Sequence, residues 1–245
     1  MPIFKNGPMG DTAIYYEQRG EGFPLLLLSP GGLNATIEFW GFTAFNAPEV
    51  LSQWFRVITF DTRNAGRSSG PLDMEDPWGS FAKDHIGLMN HLGIDKFHVL
   101  GCCVGTSHAL RIMKEVPKRV VASVLEQPVG IDESNRTFYP NVWKTWAEGM
   151  MKKHPDMKLE TLEAYGRKMW DGEFVLSVER DWMKTCQTPT LVLPGIDQAH
   201  PNAVGKEVAK LLPNSEKLEP WKEPAELIPP TIQRIRKFLQ THTPS

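Results

Sequence analysis

The chain has 245 residues, 41% of them hydrophobic, and a formal net charge of −2 at pH 7, with no basic cluster to recommend a nucleic-acid or anionic membrane partner. Its three cysteines, two of them adjacent, make neither a disulfide framework nor a paired metal-ligand spacing, and Leu25 to Leu28 is too short an apolar run to span a bilayer. The N-terminus also lacks a basic stretch followed by an apolar run. These features point to one large core, a cytoplasmic location, a small-molecule substrate, no membrane and no cofactor, and they are compatible with a homo-oligomer.

In chain order, residues 1–20 read as two modest strands, Ile3-Phe4-Lys5 and Ala13 to Glu17, joined by a turn through Asn6-Gly7-Pro8 and Met9-Gly10-Asp11. Leu25 to Leu28 reads as a central strand buried on both faces, stopping at Ser29-Pro30-Gly31-Gly32. A loop rich in aromatics (Phe39, Trp40, Phe42, Phe45) precedes a strand over Phe55 to Phe60 and a turn through Asp61 to Ser68, in which Asp61 and Arg63 are expected to pair. Ile86, Met89 and Leu92 mark a helix over 79–92, stopped by Gly93. Phe97 to Leu100 is a strand, Ala109, Ile112, Met113 and Val116 form the stripe of a helix, and Val120 to Leu125 is a further strand. From 131 to 185 the chain carries tryptophans and methionines and no strong strand; alternation resumes at Thr188 to Gly195, with a helix over 203–212, a weak strand near Lys217-Leu218 and a last helix carrying Ile228, Ile232, Ile235 and Leu239. Such βα alternation predicts an α/β fold with a mostly parallel sheet flanked by helices.

Gly101-Cys102-Cys103-Val104-Gly105 lies where a strand meets a helix. A residue at such a sharp turn is strained, and side chains two before or two after it would strike neighbouring backbone, hence the two glycines. Cys103 is the candidate nucleophile. At the N-terminus of a helix the dipole favours thiolate. The bland alternatives are a small buried cysteine in a tight turn, or a Cys102–Cys103 disulfide, which ring strain and a reducing compartment disfavour.

Over nearly its whole length the chain resembles the α/β-hydrolase family, whose usual motif is Gly-x-Ser-x-Gly, with Cys here in place of Ser. The resemblance implies a hydrolase core over 1–130 and 186–245, with a helical cap inserted at 131–185. It implies an oxyanion hole made by the N–H groups of Gly32, where Pro30-Gly31 replaces the common His-Gly, and of Val104; a plain Pro-Gly-Gly turn is the alternative. Asp61 to Ser68 is similar to the family's Asp-x-Arg-Gly-x-Gly-x-Ser turn, with Asn64 where Gly is usual.

The family places its base before the final helix, but Lys217 to Pro224 contains no histidine, and His242 lies in a tail expected to fray. In the loop after the penultimate strand, Gly195-Ile196-Asp197-Gln198-Ala199-His200-Pro201, the acid is expected at Asp197, and His200 is the histidine that strand counting brings to the carboxyl ends of the strands. The preferred reading is therefore a migrated base: His200 faces Cys103, held by Asp197 or by the alternative acid Glu126 at the end of the neighbouring strand. Otherwise His200 only stabilises an Asp-to-Pro turn. The expected function is hydrolysis of an ester, thioester, lactone or activated C–C bond in a small to medium, apolar, largely uncharged acyl compound, in a pocket roofed by Trp, Phe and Met, with no arginine cluster to clamp phosphate or multiple carboxylates. A noncatalytic hydrolase-like binding protein is the alternative.

Overall fold

The computed structural model describes residues 3–5, 11–136 and 142–244. Its strands are β1 (Ile3–Lys5), β2 (Ala13–Arg19), β3 (Pro24–Leu28), β4 (Arg56–Phe60), β5 (Phe97–Cys102), β6 (Val120–Glu126), β7 (Thr190–Leu193) and β8 (Ser215–Lys217). They form one sheet in the order β1-β2-β4-β3-β5-β6-β7-β8. β2 pairs antiparallel with β1 and with β4, and every pair from β4 to β8 is parallel. The opening strands thus pair as expected, while most of their connecting turn lies outside the described residues.

The helices are α1 (Ala47–Leu51), α2 (Pro77–His91), α3 (Val104–Glu115), α4 (Lys144–Lys153), α5 (Leu159–Trp170), α6 (Arg180–Met183), α7 (Asn202–Leu211) and α8 (Ile228–Thr241). They sit on both faces of the sheet, and β3 shows why its sequence is apolar without alternation. Leu26 and Leu28 enter one core cluster, with Leu88, Ile112 and Val208 of α2, α3 and α7. Leu25 and Leu27 enter the other, with Leu51 of α1 and Ile235 and Leu239 of α8. Successive strand residues point to opposite faces, so a strand covered on both sides is apolar throughout. Each leucine so buried contributes about 1.5–3 kcal/mol, as an upper bound.

None of the described residues between 131 and 185 joins the sheet. Trp143, Trp146, Met150, Tyr165, Met169 and Trp170, from α4, α5 and the residue before α4, pack with Leu33 and Val104 in a third cluster, and Trp146 stacks on Tyr165 at 5.4 Å. Beyond α5 the chain sinks back, so that Phe174, Val175 and Met183 belong to the core shared by α3 and α7.

Two local expectations are corrected. Arg63 does not pair with Asp61: it reaches Asp84 of α2 through Nε at 2.7 Å and Nη2 at 2.6 Å, both side chains buried, while Asp61 accepts from Arg67 Nε at 2.7 Å. Both carboxylates still fasten the turn after β4: Asp61 from within it, through Arg67, and Asp84 from α2, through Arg63. The C-terminal tail does not fray either. His242 Nδ1 lies 2.9 Å from the Phe238 carbonyl, and the Thr243 hydroxyl lies 2.9 Å from Nε2 of His98 inside β5.

α2 begins two residues earlier than its periodicity predicts, at Pro77, because Asp76 caps it by accepting from the Gly79 N–H at 2.9 Å. Asp76→Ala is expected to lower stability by about 1 kcal/mol and Tm by roughly 2–4 °C, as read by thermal denaturation.

Candidate active site

β5 delivers its last residue, Cys102, to the sheet's carboxyl edge, and the chain turns sharply into α3 at Cys103, whose φ is 57° and ψ −122°. Three bonds hold that strained turn: Cys103 N–H donates to the Glu126 carbonyl at 3.0 Å, and the Cys103 carbonyl accepts from Thr106 N–H at 3.0 Å and the Thr106 hydroxyl at 2.7 Å. The glycines are required for contact reasons. A Cβ on Gly101 would strike the Gly105 carbonyl, and one on Gly105 would strike the Leu28 carbonyl. The Cys103 sulfur caps no N–H of α3. It stands at the positive end of a twelve-residue helix, where negative charge is favoured.

Cys103, His200 and Asp197 line one cavity of about 560 Å³, together with Pro30, Gly31, Cys102, Gln127 and Lys222. The loop after β7 folds back on itself to place the imidazole; a Cβ on Gly195 would collide with that of His200. Asp197 grips His200 three ways, accepting from its backbone N–H at 3.0 Å and from Nδ1 at 2.8 Å and 3.0 Å on its two oxygens. That contact occupies Nδ1 and leaves Nε2 free of Asp197. Nε2 is buried and has no aligned hydrogen bond. Burial opposes a charge on the ring, but Cys103 first and Asp197 second more than offset it and raise the His200 pKa to about 8. The sulfur is therefore within reach of the ring, in a contact too loose to satisfy Nε2 as an aligned hydrogen bond.

The alternative acid is placed elsewhere. Glu126 ends β6 behind Cys102, and its Oε1 has no hydrogen-bond partner. Burial pushes it up to about 8 against the Cys102 thiol hydrogen bond and the nearby Lys222 charge, which pull the other way. Burial likewise drives the Cys102 thiol well up and raises that of Cys186. All three cysteines are free.

Gly32 opens a short 3-10 turn over Gly32–Asn34, with Gly31 at φ 120° and Gly32 at φ 63°. Val104 is the first residue of α3, and its N–H has no acceptor within the helix. Both stand on the side covered by Trp170 and the helices of 142–170, whose cluster Cys103 touches. Of the expected roof of Trp, Phe and Met, the phenylalanines line the cavity: its apolar wall is made by Phe39, Phe42 and Ala44 from the loop before α1 and Ile228 from α8, while Trp143, Trp146 and Trp170 pack in a separate cluster with Met150 and Met169. Among the described residues, no three His, Cys, Asp or Glu side chains cluster so as to hold a metal ion, and no helix is long and apolar enough to cross a membrane.

Residues 24–169, more than half of the chain, match the family model described as alpha/beta hydrolase fold. The chain belongs to the α/β-hydrolase family. Among its relatives is an N-formylmaleamate deformylase of Pseudomonas putida, 26% identical over 178 residues, which are 73% of this chain and 63% of that protein. The chain spans less than two thirds of the length of the first curated relatives it matches. Similar solved structures include a meta-cleavage product hydrolase from Pseudomonas fluorescens, with TM-score 0.70, 18% identity and coverage of 98% of this chain and 99% of that one. Another is an enol-lactonase from Burkholderia xenovorans, with TM-score 0.64, 19% identity and coverage of 94% and 97%. In a family frame, the segment before the last helix brings Lys222 to the cavity wall, and no signal in the sequence had singled out that lysine or Gln127.

Proposed function

We propose that this family member is a cysteine-dependent hydrolase of an ester, thioester, lactone or activated C–C bond. The observation that carries the reading is the bond from Asp197 to His200 Nδ1, which leaves a buried, unpartnered Nε2 in the same cavity as the strained Cys103. Asp197, not Glu126, is the orienting acid, because only Asp197 touches the ring.

In this reading Cys103 gives its proton to His200 Nε2, and its sulfur attacks the substrate carbonyl carbon, so that the C–S bond forms as the carbonyl oxygen gains negative charge. The N–H groups of Gly32 and Val104 donate to that oxygen. The oxygen, sulfur or carbon leaving group departs with the proton from His200; a water then gives His200 a proton, attacks the thioester and releases the acid with Cys103 restored. In this reading α4 and α5 serve as the cap over the elbow, while Phe174, Val175 and Met183 belong to the core.

The test is iodoacetamide labelling with peptide mapping. Cys103 should label first, since Cys102 is 1% exposed and Cys186 6% exposed, and burial disfavours both thiolates. Faster labelling at Cys102 or Cys186 would remove Cys103 from the role.

A further inference from the structure

The cavity contains a cation for which the reaction just described has no use. Lys222 lies in the segment between β8 and α8, with its Nζ on the cavity wall donating a hydrogen bond to Oε1 of Gln127. Among the described residues it makes no ion pair with a carboxylate, although three carboxyl groups are near. Asp197 is engaged by His200, and Glu223 on the cavity rim is exposed. Glu126 is buried behind Cys102, where loss of hydration keeps it largely protonated up to about pH 8.

The lysine is held in place rather than free in solvent. Trp221 beside it is 3% exposed; its Nε1 donates to the Pro194 carbonyl at 2.8 Å, and its own carbonyl accepts from the Thr231 hydroxyl at 2.8 Å. Gln127, the acceptor, is itself constrained at φ 51°, with its N–H on the Leu193 carbonyl at 2.8 Å and its amide Nε2 at 3.9 Å from the Cys102 sulfur. An ammonium group has three donors, and one neutral amide oxygen satisfies only one of them. The Trp221 ring, 5.6 Å from Nζ, and the apolar cavity residues Phe39, Phe42, Ala44 and Ile228 accept no hydrogen bond from the others. A positioned cation with spare donors in a cavity that also has an apolar wall is complementary to an organic monoanion: a carboxylate on the cation and a hydrocarbon body along the wall.

We propose that Lys222 anchors an anionic group and that the substrate is an acyl compound carrying one carboxylate in addition to the bond that is cleaved. The second half of this statement rests on Cys103 being the nucleophile; the first half does not. It narrows the expectation of a largely uncharged substrate by adding a single carboxylate, met by a lysine that the fold brings to the cavity.

Equilibrium titration tests the anchor without relying on turnover. Succinamate, glutaramate and adipamate, each with an amide at one end and a carboxylate at the other, are compared with the corresponding diamides. At least one carboxylate should bind roughly tenfold more tightly than its diamide, Lys222→Met should erase that preference, and Lys222→Arg should keep it. Equal binding of acids and diamides overturns the proposal. A preference that survives Lys222→Met also overturns it, because the carboxylate would then be held by the His200 imidazolium. Should Lys222→Met not fold, the wild-type preference must shrink as salt is raised and an unchanged preference would count against the anchor. If the preference is present but the wild-type protein hydrolyses no carboxylated ester, thioester or lactone, the hydrolase reading falls and the anchor stands.

Discussion

Cys103→Ala should abolish turnover, by about 10⁴–10⁶-fold, the range seen when the nucleophile of a catalytic triad is removed. The loss is large because no other thiol can take over: Cys102 faces Glu126 and Gln127 in the interior, and Cys186 is buried in the core shared with α3 and α7. The substitution also has a readout independent of turnover. The Cys103 sulfur is the foremost group that raises His200 to about 8 against the effect of burial, ahead of Asp197. Without the sulfur the imidazole should titrate lower, measured by the pH dependence of its NMR ring signals. Cys103→Ser should also lower the titration, because the sulfur's contribution is lost there too. A His200 titration unchanged in both variants would mean that the ring and the sulfur do not interact.

His200→Ala is expected to reduce turnover by roughly 10²–10⁴-fold, the contribution of a positioned general base. Labelling of Cys103 at neutral pH should slow with it, and the gap should close at alkaline pH, where hydroxide removes the proton in place of the ring. Asp197→Asn should cause a clear loss and Glu126→Gln a small one, since Asp197 alone grips the imidazole. A larger loss for Glu126→Gln would reassign the acid. Stability carries the same signature. His200 binds its proton more tightly in the folded protein, at about 8 against 6.5. This stabilisation is complete below pH 6.5 and is lost as pH rises through about 8. Glu126, raised from 4.5 to about 8, also makes stability fall with pH, but it does so equally in wild type and variant. Urea denaturation at pH 6 and pH 9 should therefore show a smaller difference for His200→Ala than for wild type, and equal differences would remove the coupling.

Within the chain, local signals were enough for the framework. The period of the apolar residues separates strands covered on both faces, such as Leu25 to Leu28, from one-sided helices such as α8, whose buried Ile235 and Leu239 lie four residues apart. Gly101 and Gly105 flag the elbow because the clash they avoid is with backbone a few residues away or on the adjacent strand. His200 and Asp197 could be named together because they are three residues apart in one loop, and their bond is local. What only the tertiary structure decided depends on elements distant in sequence. Arg63 chooses Asp84 over the nearer Asp61 because α2 packs beneath the turn. Asp197 rather than Glu126 meets the imidazole because β6 ends beside Cys102, and the Glu126 carboxyl meets that thiol instead. The cavity wall comes from Phe39, Phe42 and Ile228 rather than from the tryptophans, which satisfy one another. Lys222 acquires meaning only when Gln127, ninety-five positions earlier, is folded against it. Composition and periodicity report which face of an element is buried; they hold no record of which charged side chain meets which, because that is settled by the path of the chain through space.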